Sequence, residues 1–326
     1  MFFKEINKSL FISNSKMKKF IRNCFTLVFI LLILAVSAEQ FVRSIPNSYK
    51  YKDEWVMKNR NEIKTLILGG SHLYAAVNPA LIDSAFSLSN SAQNLEYDYL
   101  LIEKYSKVCP NLKNVVIPID YVNLFQDDFD VDGAPDWNRS IYYNLYMDIK
   151  KYGTMSKFHY ELSCPRYMIS KIFRYTWSKF NGKFYDIGCD SLGRGTDYLL
   201  NGVEKHIDSV IFTRQNNMNY DILSKTKGLN LNHLRRIKSL CSKRKIRLIA
   251  VHTPCWHSYN ENLDSARLLL LEEGIEYAKN FLRIDYYDYR DDRRFCYTNH
   301  FFFDTHHLSE FGADFFTDLI KKDANI

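Results

Sequence analysis

The chain has 326 residues, 46% of them hydrophobic, which excludes a mostly disordered protein and leaves room for one large or two small cores. Its formal charge of +7 points to an anionic neighbour without naming one.

The first predicted element is a membrane segment. Lys4, Lys8, Lys16, Lys18, Lys19 and Arg22 crowd the start, and CFTLVFILLILAVSA follows without a charge. Carried on to Val42, the apolar stretch approaches the roughly 20 residues that span a bilayer. A basic flank ahead of such a stretch predicts a signal anchor, with a cytoplasmic leader over 1–23 and a transmembrane helix over 24–42. The remainder is then extracytoplasmic. Val36, Ser37 and Ala38 also suit signal-peptidase cleavage, which exports the same remainder. The long basic leader favours the anchor. A buried core helix is the competing structural reading, and the terminal basic cluster speaks against it.

Residues 43–63 read as a polar link holding a short helix, and 64–326 as one α/β domain with a helical insertion at about 127–227. KTLILGG (64–70) reads as a buried strand, LEYDYLLIEKYSKVC (95–109) as an amphipathic helix and LKNVVIPI (112–119) as a second strand. After the insertion, Leu231, Leu234, Ile237 and Leu240 or Cys241 recur at helical spacing before the strand IRLIAVHTP (246–254). Asp264 is placed to cap the next helix, which leads into a short strand near LRIDYYD (282–288). Ser309 is placed to cap the last helix, with Phe311, Phe315, Phe316, Leu319 and Ile320 on one face. Strands alternating with helices predict a three-layer α/β/α sandwich around a mainly parallel sheet.

The insertion carries eight Lys or Arg against one acid, Glu161, between residues 150 and 183. A solvated basic face and a surface for anionic glycan or lipid headgroups are both open readings. Nucleic acid is not expected as a partner outside the cytoplasm. Beyond Cys24, six cysteines are spaced too irregularly to assign disulfides, and free core thiols fit equally well. No CxxC or His/Cys spacing predicts a metal site.

In an open parallel sheet ligands bind beyond the carboxyl ends of the strands. LILGGSHLYAAVNP puts Ser71 at such an end, after glycines that permit a tight turn. Alone, Gly-Gly-Ser is usually only a turn. A serine nucleophile needs a base, normally a histidine held by a carboxylate, and DTHHLSEFGA offers Asp304 and His307 three residues apart. His306 is the rival to His307. HTPCWHSY brings His252, Trp256, His257 and Tyr259 to another strand end, where aromatic side chains suit stacking on a sugar ring.

Together, LGGSHLYAAVNP and DTHHLSEFGA resemble the first and last sequence blocks of the SGNH (GDSL-like) hydrolase superfamily, and more narrowly its membrane-anchored branch linked to acyl groups on bacterial cell-surface polymers. Gly69, Ser71 and His72 match the first block; Asp304, His307, Leu308, Ser309 and Gly312 match the last. The resemblance covers about 64–125 and 246–322 and implies Ser71 as nucleophile, His307 as base and acid, and Asp304 as its orienting acid. It implies the same sandwich fold and no cofactor or metal. Two departures stand out. The second block lacks its glycine, so Asn90, Ser91 or Ala92 must supply that oxyanion donor beside the Ser71 amide, and Asn123 is the candidate for the third block's asparagine. His252, Trp256, His257 and Tyr121 are expected to line the substrate crevice. The implied function is an extracytoplasmic esterase or O-acyltransferase, acting on acetyl groups of a cell-surface polysaccharide or other acylated glycan. The alternative is a non-catalytic, membrane-anchored glycan- or envelope-binding protein with the same fold.

Overall fold

The computed structural model describes residues 2–125, 137–149, 160–163, 165–197, 220–263 and 265–326. Asp264, Cys164 and most of the central basic stretch lie outside these residues. The chain divides into two units, 1–46 with 156–185 and 47–155 with 186–326.

In the first unit, helix α1 runs from Phe2 to Ser44. Its Lys16–Ser44 portion is long and apolar enough to cross a membrane, with a mean hydropathy of 2.2 in its most apolar window and none of that window buried. Leu27, Phe29, Leu31 and Leu34 all stand exposed, the condition that lipid rather than water relieves. At its end the carboxylate of Glu39 accepts from the backbone N–H groups of Glu161 and Leu162, at 3.0 Å each, and from Arg43 Nε. Lys171 Nζ closes on Glu161 Oε1 at 2.6 Å, which ties in a helix over Pro165–Phe180.

The second unit holds the sheet. Its elements, in chain order, are α2 (Ser48–Asn59), β1 (Thr65–Ile67), α3 (Ser71–Ala76), β2 (Ala85–Ser87), α4 (Leu95–Tyr105), β3 (Asn114–Pro118), α5 (Tyr121–Phe125) and α6 (Trp137–Met147). The helix over Pro165–Phe180 in the first unit is α7, and the second unit resumes with α8 (Tyr220–Lys243), β4 (Arg247–His252), α9 (His257–Glu261), α10 (Ser265–Glu276), β5 (Asp285–Asp288), α11 (Arg293–Cys296) and α12 (Glu310–Ala324). All pairings are parallel, in the order β2-β1-β3-β4-β5. Strand β2 was not visible in the sequence, because AFS lacks the continuous apolar run, LIL, that marks the equally short β1.

Period-two alternation divides the strands between two apolar layers. Leu66, Phe86, Val115, Ile117, Leu248 and Ala250 pack under α2, α4, α8 and α10. Ile67, Ala85, Val116, Ile249 and Val251 pack under α3 and α12. With both faces covered, the strands read as continuous apolar runs, as parallel sheets do. The three-layer sandwich expected from the sequence is therefore present, with helices within the insertion region.

Local signals explain the helix ends. Asn94 caps α4 by accepting from the Tyr97 N–H, and Glu96 and Asp98 fill its positive first turn. In α8, Leu234, Ile237 and Cys241 are buried as their spacing predicts. That helix stops where Lys245 takes a φ of 58° and the Ile246 N–H returns to the Cys241 carbonyl at 2.8 Å. Ser309 caps α12 as expected, but the buried face of that helix differs. Gly312, Ala313, Phe316, Thr317, Ile320 and Ala324 point inward, whereas Phe311 is 66% exposed and Phe315 stacks on Phe301.

The described cysteines are all free. Burial pushes the thiols of Cys109 and Cys241 up to about 11 and about 12, so they pack as small apolar groups.

Gly312 fixes the approach of α12 to the preceding loop. A Cβ there would stand 2.1 Å from the Phe301 carbonyl oxygen, whereas one on Gly228, exposed on α8, would touch nothing. Thermal melts of the full chain should therefore separate the two: Gly312→Ala destabilises by about 1–3 kcal/mol, and Gly228→Ala stabilises by about 0.5–1 kcal/mol.

Candidate active site

Three segments meet beyond the carboxyl ends of β1, β3 and β4. The first is the turn after β1. Gly69 has a φ of 115° and lies where a Cβ would come within 2.4 Å of Pro118 Cδ, so no other residue fits between β1 and β3. Gly70 caps α3 in an extended conformation, and Ser71 is the first helical residue. Its N–H is one of the donors that a helix start leaves without an intrahelical partner.

The second segment is the loop before α12. An antiparallel bridge between Phe302 and Leu308 closes it, with the Phe303 N–H donating to the His307 carbonyl at 2.9 Å. Inside, Asp304 Oδ1 accepts from the backbone N–H groups of His306 and His307 at 3.0 and 2.8 Å. Ser309 anchors the exit, donating from Oγ to the His300 carbonyl at 2.7 Å.

These segments bring together Ser71, His307 and Asp304. His307 Nε2 stands 2.8 Å from Ser71 Oγ, although 236 residues separate them in sequence. His307 Nδ1 lies 2.8 Å from Asp304 Oδ2. A carboxylate at Nδ1 places the ring proton there and leaves Nε2 to accept from the serine hydroxyl. Burial lowers the His307 pKa below its ordinary value, and the Asp304 hydrogen bond and charge only partly oppose this. Burial alone would raise the Asp304 carboxyl, but the bond and charge of His307, with His306, hold it far below the usual carboxylate range. The ring is thus neutral and basic at neutral pH beside a fully ionised acid.

The third segment follows β3 and carries a second imidazole–carboxylate pair that the sequence had not indicated. His72 Nδ1 lies 2.8 Å from Asp120 Oδ2, with both side chains buried. Burial raises the Asp120 carboxyl, but the charge and hydrogen bond of His72, the charge of His252 and the Asn123 N–H outweigh it and hold it at about 2. Burial opposes charge on His72, yet Asp120 and Asp304 prevail and raise its pKa. His306 packs between the pairs, 5.2 Å from the His72 ring and 4.1 Å from the His307 ring. Burial, then the charge of His307, presses its pKa well below the ordinary value. The forewarnings were the position of His72 directly after Ser71 and that of Asp120 at a strand end.

The other predicted residues fall as follows. Asn123 is buried beside Asp120: its N–H donates to Asp120 Oδ1 at 2.9 Å, and its amide, oriented to satisfy both groups, donates to the same carboxylate at 2.9 and 3.1 Å. Its side chain therefore serves a buried charge. Ser91 sits in the turn over Gly69 and Gly70, where the Asn90 N–H bonds the Gly69 carbonyl at 3.2 Å and the Gln93 N–H bonds the Asn90 carbonyl at 3.1 Å. In that turn Ala92 takes a φ of 57°, the left-handed conformation that ordinarily favours glycine. His252 is buried with Nδ1 3.3 Å from the Tyr286 hydroxyl, and Tyr121 is buried against Phe125. Trp256 and His257 are partly exposed. The Trp256 N–H donates to the Thr305 carbonyl at 2.9 Å, and the His257 ring stacks on exposed Tyr297 at 5.0 Å. Tyr297 extends this aromatic shelf and carried no signal in the sequence.

A polar network supports the turn from behind. Asp98, fully buried, accepts from Gln93 Nε2 at 2.6 Å, and Gln93 Oε1 accepts from the Tyr143 hydroxyl at 2.7 Å. Lys52, also buried, donates to the Ser89 carbonyl, and burial lowers its pKa to about 8.

No family model matches the chain, and no curated protein matches it by sequence. Among solved structures it is similar to a proposed acylhydrolase from Bacteroides fragilis NCTC 9343, with 12% identity, 88% of this chain and 93% of that chain covered, and a TM-score of 0.35. A likeness of that degree assigns no activity to this chain.

Burial raises the Asp98 carboxyl to about 7, against the opposing hydrogen bonds of Gln93 and the Gly69 N–H. A raised folded-state pKa contributes stability that is complete below the ordinary carboxyl value and lost as pH rises through about 7. Asn at this position keeps a neutral side chain at every pH. Asp98→Asn should therefore raise stability at pH 8 by on the order of a few kcal/mol and change it little at pH 4, as thermal melts at the two values would show.

Proposed function

We propose that the chain is a membrane-anchored, extracytoplasmic serine esterase or O-acyltransferase that works through an acyl-Ser71 intermediate. The observation that carries this reading is the continuous line of hydrogen bonds from Ser71 through His307 to Asp304. Ser71 Oγ attacks the ester carbonyl as its proton passes to His307 Nε2, and Asp304 stabilises the imidazolium that forms. In this reading the Ser71 N–H and the Ser91 N–H from the overlying turn are the oxyanion donors. Collapse breaks the ester bond, and the departing alcohol takes the proton from His307. His307 then deprotonates the acceptor, which attacks the acyl carbon and returns Ser71 to its free form. Hydrolysis and transfer share every step to the acyl-enzyme and differ only in whether water or a sugar hydroxyl completes the cycle.

The basic residues ahead of the apolar helix support an outward-facing domain. Trp256, His257 and Tyr297 support an acylated cell-surface glycan as substrate, because exposed rings give a sugar a flat apolar face to stack on. Acetyl is the acyl group that this reading takes as its substrate. No cofactor enters the cycle.

Incubation of the purified protein with an activated acetyl ester should add one acetyl group by intact mass, and Ser71→Ala should remove both adduct and turnover. Asp304→Asn should lower kcat by roughly 10⁴-fold. Equal turnover by Ser71→Ala would sink the proposal. Because His307 titrates below its ordinary value, kcat/KM should hold through pH 7 and decline only below pH ~6.5. A rate profile with its acid limb centred above pH 7 would contradict this assignment.

A further inference from the structure

The serine machinery uses one face of a larger constellation. One ring nitrogen from each of His72, His306 and His307 lies within 4.8 Å of the other two. His72 is 4% exposed, and its Nε2 has no hydrogen-bond partner among the described residues. A buried polar atom left in that state is costly, so a ligand for it is a sound expectation.

The surroundings resemble those of a built metal centre. Imidazoles that bind metal usually hand their other nitrogen to a carboxylate, which fixes the tautomer and strengthens the free nitrogen as a donor. Both His72 and His307 are arranged in this way, Nδ1 to Asp120 at 2.8 Å and Nδ1 to Asp304 at 2.8 Å. His306 Nδ1 stands 3.3 Å from Asp304 Oδ1. Two nearby carboxylates also offset the double charge of a dication. An all-imidazole set with no oxygen ligand selects a borderline ion such as zinc over magnesium or calcium.

We propose that His72, His306 and His307 form a three-histidine site for a divalent transition-metal ion, Zn²⁺ foremost, that competes with Ser71 for Nε2 of His307. The competition rests on the serine-esterase reading; the metal site itself does not. One lone pair on Nε2 either accepts the Ser71 proton or binds the ion. Metal occupancy thus switches the serine off, and chelation restores it. Bringing the three nitrogens onto one ion at roughly 2.0–2.1 Å requires them to draw together from their present spacing, by ring rotations of the kind a small ion imposes.

The full-length protein in detergent micelles, stripped by chelator, would be titrated with Co²⁺ and Zn²⁺. One equivalent of Co²⁺ should give the intense visible absorption of a four-coordinate centre, and X-ray absorption of the Zn²⁺ form should show three imidazole nitrogens. Ser71→Ala, which removes the competitor for Nε2, should bind both ions at least as tightly as the wild type does, His306→Ala should weaken binding by at least ~100-fold, and Asp120→Asn by roughly 10–100-fold. Zn²⁺ should suppress ester turnover in proportion to occupancy, with recovery on adding chelator. A shell of oxygen or sulfur ligands, or no uptake by the wild type, would overturn the site without touching the serine reading. Metal uptake by a protein that turns over no ester would keep the site and remove the serine reading. The X-ray absorption measurement needs no variant, so a His306→Ala protein that fails to fold still leaves the site open to disproof.

Discussion

A carboxylate removed from water must have its lone pairs satisfied, and Asp304 and Asp120 impose that condition on the whole crevice. Asp304 meets it with two backbone amides of its own turn and with the His307 ring. Asp120 meets it with the Asn123 N–H and the His72 ring. Each solution fixes an imidazole in one tautomer and one orientation. The position of His307 beside Ser71 is therefore a consequence of solvating a buried charge, and any loss of the Asp304 contacts would free the ring and leave an ion in a poorly polar environment. The structural and chemical demands on this loop are the same demand.

The serine side of the crevice is held by shape rather than charge. Gly69 passes over Pro118 at a distance no Cβ tolerates, and the chain must turn there before α3 can start at Ser71. The turn carrying Ser91 lies on top, held through the Asn90 N–H to the Gly69 carbonyl. Beneath it, Asp98 and Lys52 are costly buried groups whose shifted pKa values oppose ionisation of each. Such a network restricts the turn to one conformation at the expense of stability.

Much of this was legible in the sequence, and the exceptions have physical causes. The helical period of Leu234, Ile237 and Cys241 and the apolar runs of β1, β3 and β4 are long enough to show a pattern. Ser71, Asp304 and His307 stood out because a glycine turn and an Asp-x-x-His loop were both placed at element ends. Strand β2 is as short as β1 and lacks the continuous apolar LIL run that marks β1. Phe311 and Phe315 lie on the same helical stripe as Phe316, yet stacking on Phe301 outside the core is as compatible with their spacing as burial. The bonds from Asn123 to Asp120 three residues earlier were not legible, because only tertiary placement shows that Asp120 is buried. Asp98 was hidden for the same reason: on a helix of mixed polarity, a buried acid and a solvated one read alike.

The two imidazole–carboxylate pairs also differ in a way that separates chemistry from support. His307 directs Nε2 at a partly exposed hydroxyl, that of Ser71, while the Nε2 of His72 is buried beside His306. A base that must exchange protons with substrate needs the first arrangement. A nitrogen confined to the interior can polarise its neighbours or bind a small ion, but it cannot reach an acyl group. Opposite pKa shifts express this division: burial dominates at His307 and keeps it neutral, whereas the carboxylates dominate at His72 and favour its charged form. After burial, the charge of His72 also counts among the influences that lower the His307 pKa.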